Sequence, residues 1–464
     1  MVFDSTSTSK ARVRLSSSTA EGIVDPLFGS AAVDAAVSDE AWLQAMLDFE
    51  AALAESEAEA GLVPAPLAAE IAAACRAESF DMAEIGRRAV GSGNPAAPLV
   101  RVLMNAVSPA AREYVHLGAT SQDVIDTALS LMARRALDVI LDDLSQVSSA
   151  CGDLMETHAH TLMTARTLLQ PAVPTTLGYK AAGWMVSVDE ARVLLRRVRF
   201  ERLAVQFGGA AGTLASLEGA GVDVARRLAT RLGLGDPALP WHTDRTRIAE
   251  LAAALGTAVG VLGKFARDVT LLAQSEVAEA EESEPGTSST LPQKRNPVRA
   301  VLILAAAARA PGLVGTLFST MVQEHERATG AWHAEWDAIR DLLRITGGAS
   351  HHAAALLSSL QVEPARMAEN LDADGGLAMA EHLALELSRR VERATARDIV
   401  RRCSEESIER HIRFAEVVRD DAEVRKHLSD EQLTAALDPA GYLGSIDELI
   451  RRAAEAHSDA GVQR

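Results

Sequence analysis

Apolar residues recur along most of the chain at spacings of three and four residues, which is the period of amphipathic helices. From Ser38, a good N-cap residue, through Leu53 the apolar side chains follow this rhythm, and segments 125–139 and 248–262 repeat it. Strand signals are weak, because the densest cluster of Thr and Val, 171–176, contains two prolines. The pattern therefore predicts an all-α protein built around long bundle helices.

Glycine and proline interrupt this helical pattern in a few segments only. They concentrate at residues 91–98, 170–178, 207–221 and 284–297. Polar loops between long helices commonly carry binding groups. These segments are therefore the first places in which to look for chemistry.

Changes in composition divide the chain into four parts. Residues 1–20 are rich in Ser and Thr and lack the apolar run of a signal peptide, so they predict a disordered lead. Segment 361–376 indicates a junction, after which short helices resume. We predict an N-terminal helical domain of residues 21–112, a central helical-bundle domain of residues 113–360 that contains the loop 284–297, and a C-terminal helical domain of residues 361–464.

Composition and charge exclude several classes of protein. No apolar stretch in the 464 residues reaches, uninterrupted by charge, the roughly 20 residues that span a bilayer. A net charge of −18 opposes a sequence-independent grip on nucleic acid or on an anionic membrane. Three cysteines far apart in the chain, Cys75, Cys151 and Cys403, fit the reduced thiols of a cytoplasmic protein. We therefore expect a soluble, cytoplasmic protein with neither nucleic acid nor membrane as a partner.

Three short polar segments stand out from the helical background. Gly91–Pro95 (GSGNP) allows close approach of the backbone to a ligand, although a turn between helices gives the same pattern. His116–Asp123 (HLGATSQD) precedes a long helix, whose free N–H groups and positive dipole end suit a carboxylate. A plain N-cap at Thr120 or Ser121 is the alternative for that segment. Arg166–Pro171 (RTLLQP) is a polar cluster before a proline-rich turn.

A fourth segment, Gly286–Pro297 (GTSSTLPQKRNP), has no helical rhythm and combines hydroxyl groups, an amide and two cations. A loop of ~12 residues without secondary structure is uncommon inside a helical protein and is usually functional. A solvated surface loop is the alternative. The composition favours a binding or catalytic role.

Together these segments resemble the fumarase/aspartase superfamily of lyases. The signature loop of that superfamily, GSSxMPxKxNP, is matched by Ser288–Pro297, with Thr287 in place of its glycine and Leu291 in place of its methionine. The TSQD and RTLLQ segments resemble its other two shared regions and occur in the expected order. The resemblance implies a three-domain helical fold with a central five-helix bundle, and a homotetramer whose active sites each draw on three subunits.

Further stretches are similar to the bacterial 3-carboxy-cis,cis-muconate cycloisomerase family within that superfamily. They are residues 22–30, 38–54, 116–129, 206–217, 240–250, 323–336 and 370–381. This resemblance implies the reversible conversion of 3-carboxy-cis,cis-muconate to 4-carboxymuconolactone in the protocatechuate branch of aromatic catabolism, the β-ketoadipate pathway. It implies a small di- or tricarboxylate as substrate, and neither a cofactor nor a metal.

The superfamily resemblance also implies roles for individual residues. Ser288 matches the loop serine that acts as general base on the carbon next to a substrate carboxylate. Lys294 and Asn296 match residues that bind this carboxylate and would stabilise the aci-carboxylate formed when the proton leaves. For His116, a structural role is the alternative. The predicted substrate-binding residues are Ser92, Asn94, His116, Thr120, Ser121, Gln122, Arg166, Thr167, Gln170, Lys294 and Asn296.

Position 168 departs from other branches of the superfamily. Fumarases and adenylosuccinate lyases carry a histidine after the Arg-Thr pair, where it assists the leaving group, and this chain carries Leu168. A general acid helps a strongly basic leaving group and is dispensable for a stable anion. A carboxylate, with a pKa of ~4, leaves without a proton at neutral pH. Leu168 therefore favours a cycloisomerase over a fumarase or an adenylosuccinate lyase.

Other functions stay open on the same reasoning. Nitrite is also a stable anion, so a nitrosuccinate lyase, a superfamily member that releases nitrite and fumarate, fits as well. An inactive structural relative fits less well, because Ser288, Lys294 and Asn296 are all present. The histidines show no metal-ligand spacing, and segment 208–212 lacks the glycine spacing of a dinucleotide fold.

Overall fold

A computed structural model describes residues 23–462 of the protein, except Ser288, Ser289 and Pro292. The predicted disordered lead, residues 1–20, lies outside the described residues. Helices account for most of the described chain, which confirms the prediction of an all-α fold. Six short strands, paired two by two, complete it.

The N-terminal part is a set of short helices around one long helix. Ser38 begins the long helix as its N-cap, because its hydroxyl accepts a hydrogen bond from the N–H of Ala41 at 3.1 Å. The helices are α1 Asp25–Phe28, α2 Ala31–Ala36, α3 Asp39–Glu59, α4 Ala65–Ala74, α5 Met82–Ser92, α6 Ala96–Ala106 and α7 Pro109–Arg112.

The central part of the described chain contains five long helices and one shorter helix, α10. They are α8 Ser121–Thr157, α9 Leu177–Arg197, α10 Gly221–Leu232, α11 Thr246–Leu272, α12 Val298–Ser319 and α13 Ala331–Ser358. The predicted helical segments 125–139 and 248–262 lie within α8 and α11. Helix α8 packs against α9 and α13, while α12 packs between α11 and α13.

Three antiparallel strand pairs lie in the connections between the long helices. They are β1 Leu162–Thr167 with β2 Gln170–Thr176, β3 Ala280–Glu282 with β6 Leu360–Val362, and β4 Gly286–Thr287 with β5 Arg295–Asn296. The expectation that prolines keep segment 171–176 out of a strand was wrong. In a hairpin of only two strands each strand is an edge, so Pro171 and Pro174 can turn their missing N–H groups away from the partner.

The C-terminal part has its own small apolar core. This second core includes Leu383, Cys403 and Phe414, whereas a single larger core runs from Val33 to Met367 through the N-terminal and central parts. The last helix returns to the central bundle, where His457 Nδ1 lies 2.7 Å from Asp189 Oδ2 on α9. The helices are α14 Pro364–Asp372, α15 Ala380–Ser388, α16 Arg393–Arg410, α17 Phe414–Asp420, α18 Ala422–His427, α19 Asp430–Ala436 and α20 Ile446–Val462.

The predicted boundary between the N-terminal and central domains, at residues 112/113, stays a prediction, since the apolar core is continuous there.

Two helices, α11 and α12, are long and apolar enough to cross a membrane by length and composition alone. In α11 the apolar stretch is 61% buried inside the fold, as expected of a core helix, whereas in α12 it is only 22% buried. This is weak evidence for a membrane span, because core helices pass the same test. Large exposed apolar faces on a protein mark sites of interaction more often than not.

Candidate active site

The start of helix α8 is held by a capping box around the TSQD segment. The N–H of Thr120 donates to Asp123 Oδ2 at 3.1 Å, and the Thr120 side chain accepts from the N–H of Asp123. Asp123 is buried and also accepts from the N–H groups of Gly208 and Gly209, at 3.1 and 2.9 Å. Burial raises the pKa of Asp123 to about 6, although these donors favour its charged form. The N-cap alternative is therefore correct for Thr120, and the cap also fastens the glycine-rich segment 208–212 to the helix.

The side chain of Gln122, at the start of helix α8, is directed into the protein. Its side chain is buried, and its Nε2 donates to Asp126 Oδ2 at 3.1 Å and to the carbonyl of His242 at 2.7 Å. Its Oε1 accepts from Arg327 Nη1 at 2.7 Å. Both amide protons are used within the protein, so in this conformation Gln122 positions neighbouring segments and offers no N–H to a ligand.

Arg327 clamps the same region from the segment that precedes α13. Its Nη2 donates to the carbonyls of Gly209 and Ala210, at 2.6 and 3.0 Å, while its Nη1 holds Gln122. Sequence reasoning did not select Arg327 as a site residue. Arg327 lies in the stretch 323–336, and the resemblance of that stretch to the cycloisomerases is the signal that could have identified it.

A buried ion-pair network connects the first turns of helix α8 with helix α13. Arg245 is fully buried and makes bidentate contacts with Asp126, at 2.7 and 3.2 Å, and with Glu335, at 2.5 and 3.1 Å. Trp332 Nε1 donates to Asp126 Oδ1 at 2.8 Å. The network joins α8, the residue before α11, and α13, and in it one guanidinium is shared by two buried carboxylates. Burial raises the pKa of Glu335 above its ordinary value, although the charge and hydrogen bonds of Arg245 lower it.

The GSGNP segment approaches α13 but is also a turn between helices. Asn94 Oδ1 accepts from the N–H of Ala97 at 3.2 Å, which caps the start of α6. Gly93 adopts a positive φ of 70°, and its carbonyl lies 3.0 Å from His333 Nε2. Ser92 is exposed, and its hydroxyl donates to the carbonyl of Asn94 at 2.8 Å. The interpretation as a turn between helices is therefore confirmed, and close approach of this segment to a ligand stays a prediction.

His116 contacts the N-terminal part of the protein through its ring. Nδ1 of His116 lies 2.6 Å from Oε1 of Glu50 on α3, and the Glu50 side chain is fully buried. The backbone of His116 is left-handed, with φ 62°. His116 and Thr120 are therefore both fixed at the approach to α8, and each also has a structural role.

The RTLLQ segment forms the tip of the hairpin β1–β2. Leu168 and Leu169 occupy the two turn positions with φ of 51° and 66°, a conformation that usually selects Asn and Gly. Leu168 is 97% exposed. Thr167 and Gln170 flank the turn and are exposed as well. Two bulky apolar residues in left-handed conformation that face solvent are energetically costly, and a role of this tip in substrate binding stays a prediction.

The four residues 279–282 anchor both the hairpin and the signature loop. Glu279 forms a bidentate ion pair with Arg166 of β1, at 2.7 and 2.9 Å. Glu281 pairs with Arg295 of β5 at 2.9 Å. Glu282 accepts from the N–H groups of residues 299 and 300, at 3.2 and 3.0 Å, and so caps the start of α12. A cavity of about 740 Å³ opens beside this anchor, between α9 and α11, and Arg166 and Lys180 line it.

Two family models of lyases match successive parts of the chain. A family model described as a lyase matches residues 20–312, and a model described as the adenylosuccinate lyase C-terminus matches residues 376–453. The chain belongs to the fumarase/aspartase superfamily of lyases. The expectation drawn from the TSQD, RTLLQ and signature-loop segments is thereby confirmed.

Individual superfamily members cover nearly the full length of the chain. It is 44% identical to 3-carboxy-cis,cis-muconate cycloisomerase of Pseudomonas aeruginosa over 450 residues, which is 96% of this chain and 98% of the relative. It is also 44% identical to nitrosuccinate lyase of Streptomyces davaonensis over 446 residues, 93% of this chain and 94% of the relative. The crystal structure of 3-carboxy-cis,cis-muconate lactonizing enzyme from Pseudomonas putida superposes with a TM-score of 0.90 at 42% identity, covering 95% and 99% of the two chains.

The superfamily's signature loop is only partly described. The predicted general base, Ser288, lies outside the described residues, as does Ser289. At the base of the loop, β4 pairs with β5, and Asn296 Nδ2 donates to the carbonyl of Gly286 at 3.3 Å. Lys294 is exposed and Asn296 is half-buried. The expected loop without regular structure is therefore closed at its base by a two-residue ladder.

The predicted site residues thus form two groups within one chain. Hydrogen bonds link residues 120–123 to segments 206–209 and 323–327, and α13 holds segment 92–94. The hairpin and the signature loop are instead anchored on residues 279–282. Among the described residues, no cluster of His, Cys, Asp and Glu could hold a metal ion.

Proposed function

We propose that the enzyme interconverts 3-carboxy-cis,cis-muconate and 4-carboxymuconolactone. The observation that carries the proposal is the structural likeness over 95% of the chain to a 3-carboxy-cis,cis-muconate lactonizing enzyme, with a TM-score of 0.90. Leu168, exposed at the hairpin tip where other superfamily branches carry a histidine acid, agrees with it. Near full-length similarity to 3-carboxy-cis,cis-muconate cycloisomerases in sequence and in structure supports it. The substrate's own carboxylate is then nucleophile in one direction and leaving group in the other.

The proposed chemistry needs one proton transfer by the protein. In lactone opening, Ser288 removes the proton from the carbon next to a carboxylate, and the electron pair forms the aci-carboxylate. Lys294 and Asn296 stabilise this dianionic intermediate. The ring C–O bond then breaks and the freed carboxylate leaves as an anion. Serine can act as the base only if loop N–H groups and a nearby cation stabilise its alkoxide and water is excluded.

Nitrosuccinate cleavage to nitrite and fumarate is the second candidate. The specific observation in its favour is the 44% identity to the Streptomyces davaonensis enzyme, which equals that to the Pseudomonas aeruginosa cycloisomerase. Leu168 suits this reaction equally well, because nitrite also leaves as a stable anion. The identities to these two relatives alone do not choose between the substrates, but a second cycloisomerase, that of Bradyrhizobium diazoefficiens, is 45% identical, and the structural likeness to the lactonizing enzyme also favours the cycloisomerase.

One pair of assays separates the two candidates. Purified protein is mixed with 3-carboxy-cis,cis-muconate and followed by ultraviolet absorbance, and with nitrosuccinate and assayed for nitrite. Loss of the diene absorbance without nitrite release supports the cycloisomerase. Nitrite release with an inert muconate refutes it and assigns the second function.

We further propose that the enzyme assembles as a homotetramer with shared active sites. The exposed apolar side chains on and just after α12 support this, among them Val301, Phe318 and Val322. The separation of the site residues into two groups also supports it, because a site that draws on several copies brings the groups together between chains. A further copy of this chain is therefore the proposed partner of α12.

A further inference from the structure

His116 has one ring nitrogen bound inside the protein and one that is accessible. A carboxylate can only accept hydrogen bonds, so Nδ1 of His116 donates to Glu50 across the 2.6 Å contact. The His116 side chain is 18% exposed, whereas that of Glu50 is fully buried. Nε2 of His116 forms no hydrogen bond with the described residues and is not among their enclosed, unpartnered atoms. It is therefore a free position on the ring.

The buried carboxylate of Glu50 favours the protonated form of the neighbouring His116 ring. Oε2 of Glu50 is enclosed and lacks a partner, so His116 is the donor that compensates this carboxylate among the described residues. A buried carboxylate stabilises an adjacent imidazolium because their charges attract in a poorly screened environment. Burial of the ring alone would lower the pKa of His116, but the charge and hydrogen bond of Glu50 and the charge of Asp123 raise it above its ordinary value.

The other titratable groups that face Glu50 are uncharged at neutral pH. Glu57, two turns further along α3, is fully buried, and both of its carboxyl oxygens lack partners. Burial and the charge of Glu50 raise the pKa of Glu57 to about 9. Burial also raises the pKa of the Cys75 thiol. The anions that act on His116 are therefore Glu50 on α3 and Asp123 on α8.

The backbone around His116 is shaped for this contact. His116 adopts a left-handed conformation with φ 62°, which non-glycine residues rarely do, and Gly118 follows at φ 71°. The ring thereby contacts α3, while the residues after it lead into the start of α8. Strain of this kind persists where the surrounding structure fixes it, often at functional sites.

We infer that Glu50 is a positioning residue of the active site, which holds His116 as an imidazolium whose Nε2–H is available to a substrate carboxylate. This inference rests on the proposed function for its substrate. The fixed positive charge adds to the partial positive charge of the α8 N-terminus, next to Thr120 and Ser121. Binding of the carboxylate is then linked to the protonation of His116.

The first test measures the charge on His116 without using activity. In full-length protein, mass spectrometry follows hydrogen–deuterium exchange at Cε1 of each histidine as a function of pH. In Glu50→Gln, the midpoint of His116 falls by about one pH unit or more, because burial is then opposed only by the charge of Asp123. The matched control is Glu57→Gln, which replaces an uncharged acid on the same helix and leaves the His116 midpoint in place. A His116 midpoint that is the same in wild type and Glu50→Gln overturns the inference.

The second test separates positioning from general damage. At pH 7, Glu50→Gln lowers kcat/KM for 3-carboxy-cis,cis-muconate by roughly 10- to 100-fold, mainly through KM, since one charge-assisted hydrogen bond is lost. The deficit shrinks towards pH 5.5, where the imidazole gains its proton without help. A deficit of equal size at every pH indicates only structural damage and overturns the inference. A wild type that consumes neither muconate nor nitrosuccinate refutes the proposed function, and the exchange measurement still decides the state of His116.

Discussion

The guanidinium of Arg166 forms a bidentate ion pair with the carboxylate of Glu279, with N–O distances of 2.9 and 2.7 Å. Glu279 is fully buried and also accepts a hydrogen bond from Asn370 Nδ2 at 2.8 Å. This pair holds the turn end of the hairpin, next to Thr167 and Leu168. Arg166 therefore anchors a site element, whatever it also contributes to substrate binding.

Arg166→Leu is expected to reduce the free energy of unfolding by about 3 kcal/mol, because it leaves the buried charge of Glu279 without its partner. Chemical denaturation measures the loss. The control is the double variant Arg166→Leu/Glu279→Leu, which removes both charges and is expected to recover part of the stability. A single variant as stable as the wild type would show that the pair does not anchor the hairpin.

Leu168→His is expected to bring no gain in turnover of the lactone. The leaving carboxylate has a pKa of ~4 and needs no proton at neutral pH, so an added general acid does not accelerate its departure. Steady-state kinetics with 4-carboxymuconolactone at pH 7 tests this, with Leu168→Ala as the control for loss of the leucine side chain. A clear gain for histidine over alanine would refute the leaving-group argument.

Glu57→Gln is expected to stabilise the protein more as the pH rises. With a pKa of about 9 in the folded chain against an ordinary value of 4.5, Glu57 keeps a proton that the unfolded chain has released between these values. The free energy of unfolding of the wild type therefore falls as pH rises through that window, by about 1.4 kcal/mol per pH unit. Denaturation at pH 5.5 and pH 8.5 tests this. A difference between variant and wild type that is the same at both pH values contradicts it.

Val301→Asp is expected to break the tetramer. Val301 is half exposed on α12, and a charge there opposes the burial of that apolar face against another copy of the chain. Light scattering of the eluting protein reports the mass, and activity is expected to fall with it because the proposed active site draws on several copies of the chain. The control is Val222→Asp, at an exposed position on α10. An intact tetramer in Val301→Asp would show that α12 lies outside the interface.

Helices and family were predictable from the sequence because each depends on a local pattern. The apolar rhythm of segments 125–139 and 248–262 reports a helix directly, and the TSQD and signature-loop segments carry the superfamily resemblance. The hairpin of β1 and β2 was missed, because its prolines exclude only the interior of a sheet and not a ribbon of two edges.

Contacts between distant segments were not predictable in the same way. The sequence around Gln122 does not show that Arg327 and the carbonyl of His242 bind its carboxamide, because these partners lie 205 and 120 residues away and meet Gln122 only in the fold. The pairing of His116 with Glu50, 66 residues apart, is of the same kind. Motifs identify which side chains matter, whereas the fold decides which of them remain free for a ligand.

The most direct measurement compares wild type and Ser288→Ala in the rate at which 3-carboxy-cis,cis-muconate loses its diene absorbance. We expect the wild type to consume the substrate, and the variant to be slower by several orders of magnitude with nearly unchanged oligomeric state and melting temperature, because Ser288 is the proposed base that removes and returns the substrate proton. Near-normal turnover by Ser288→Ala would contradict the assignment of the base, and an inert wild type would contradict the proposed reaction itself.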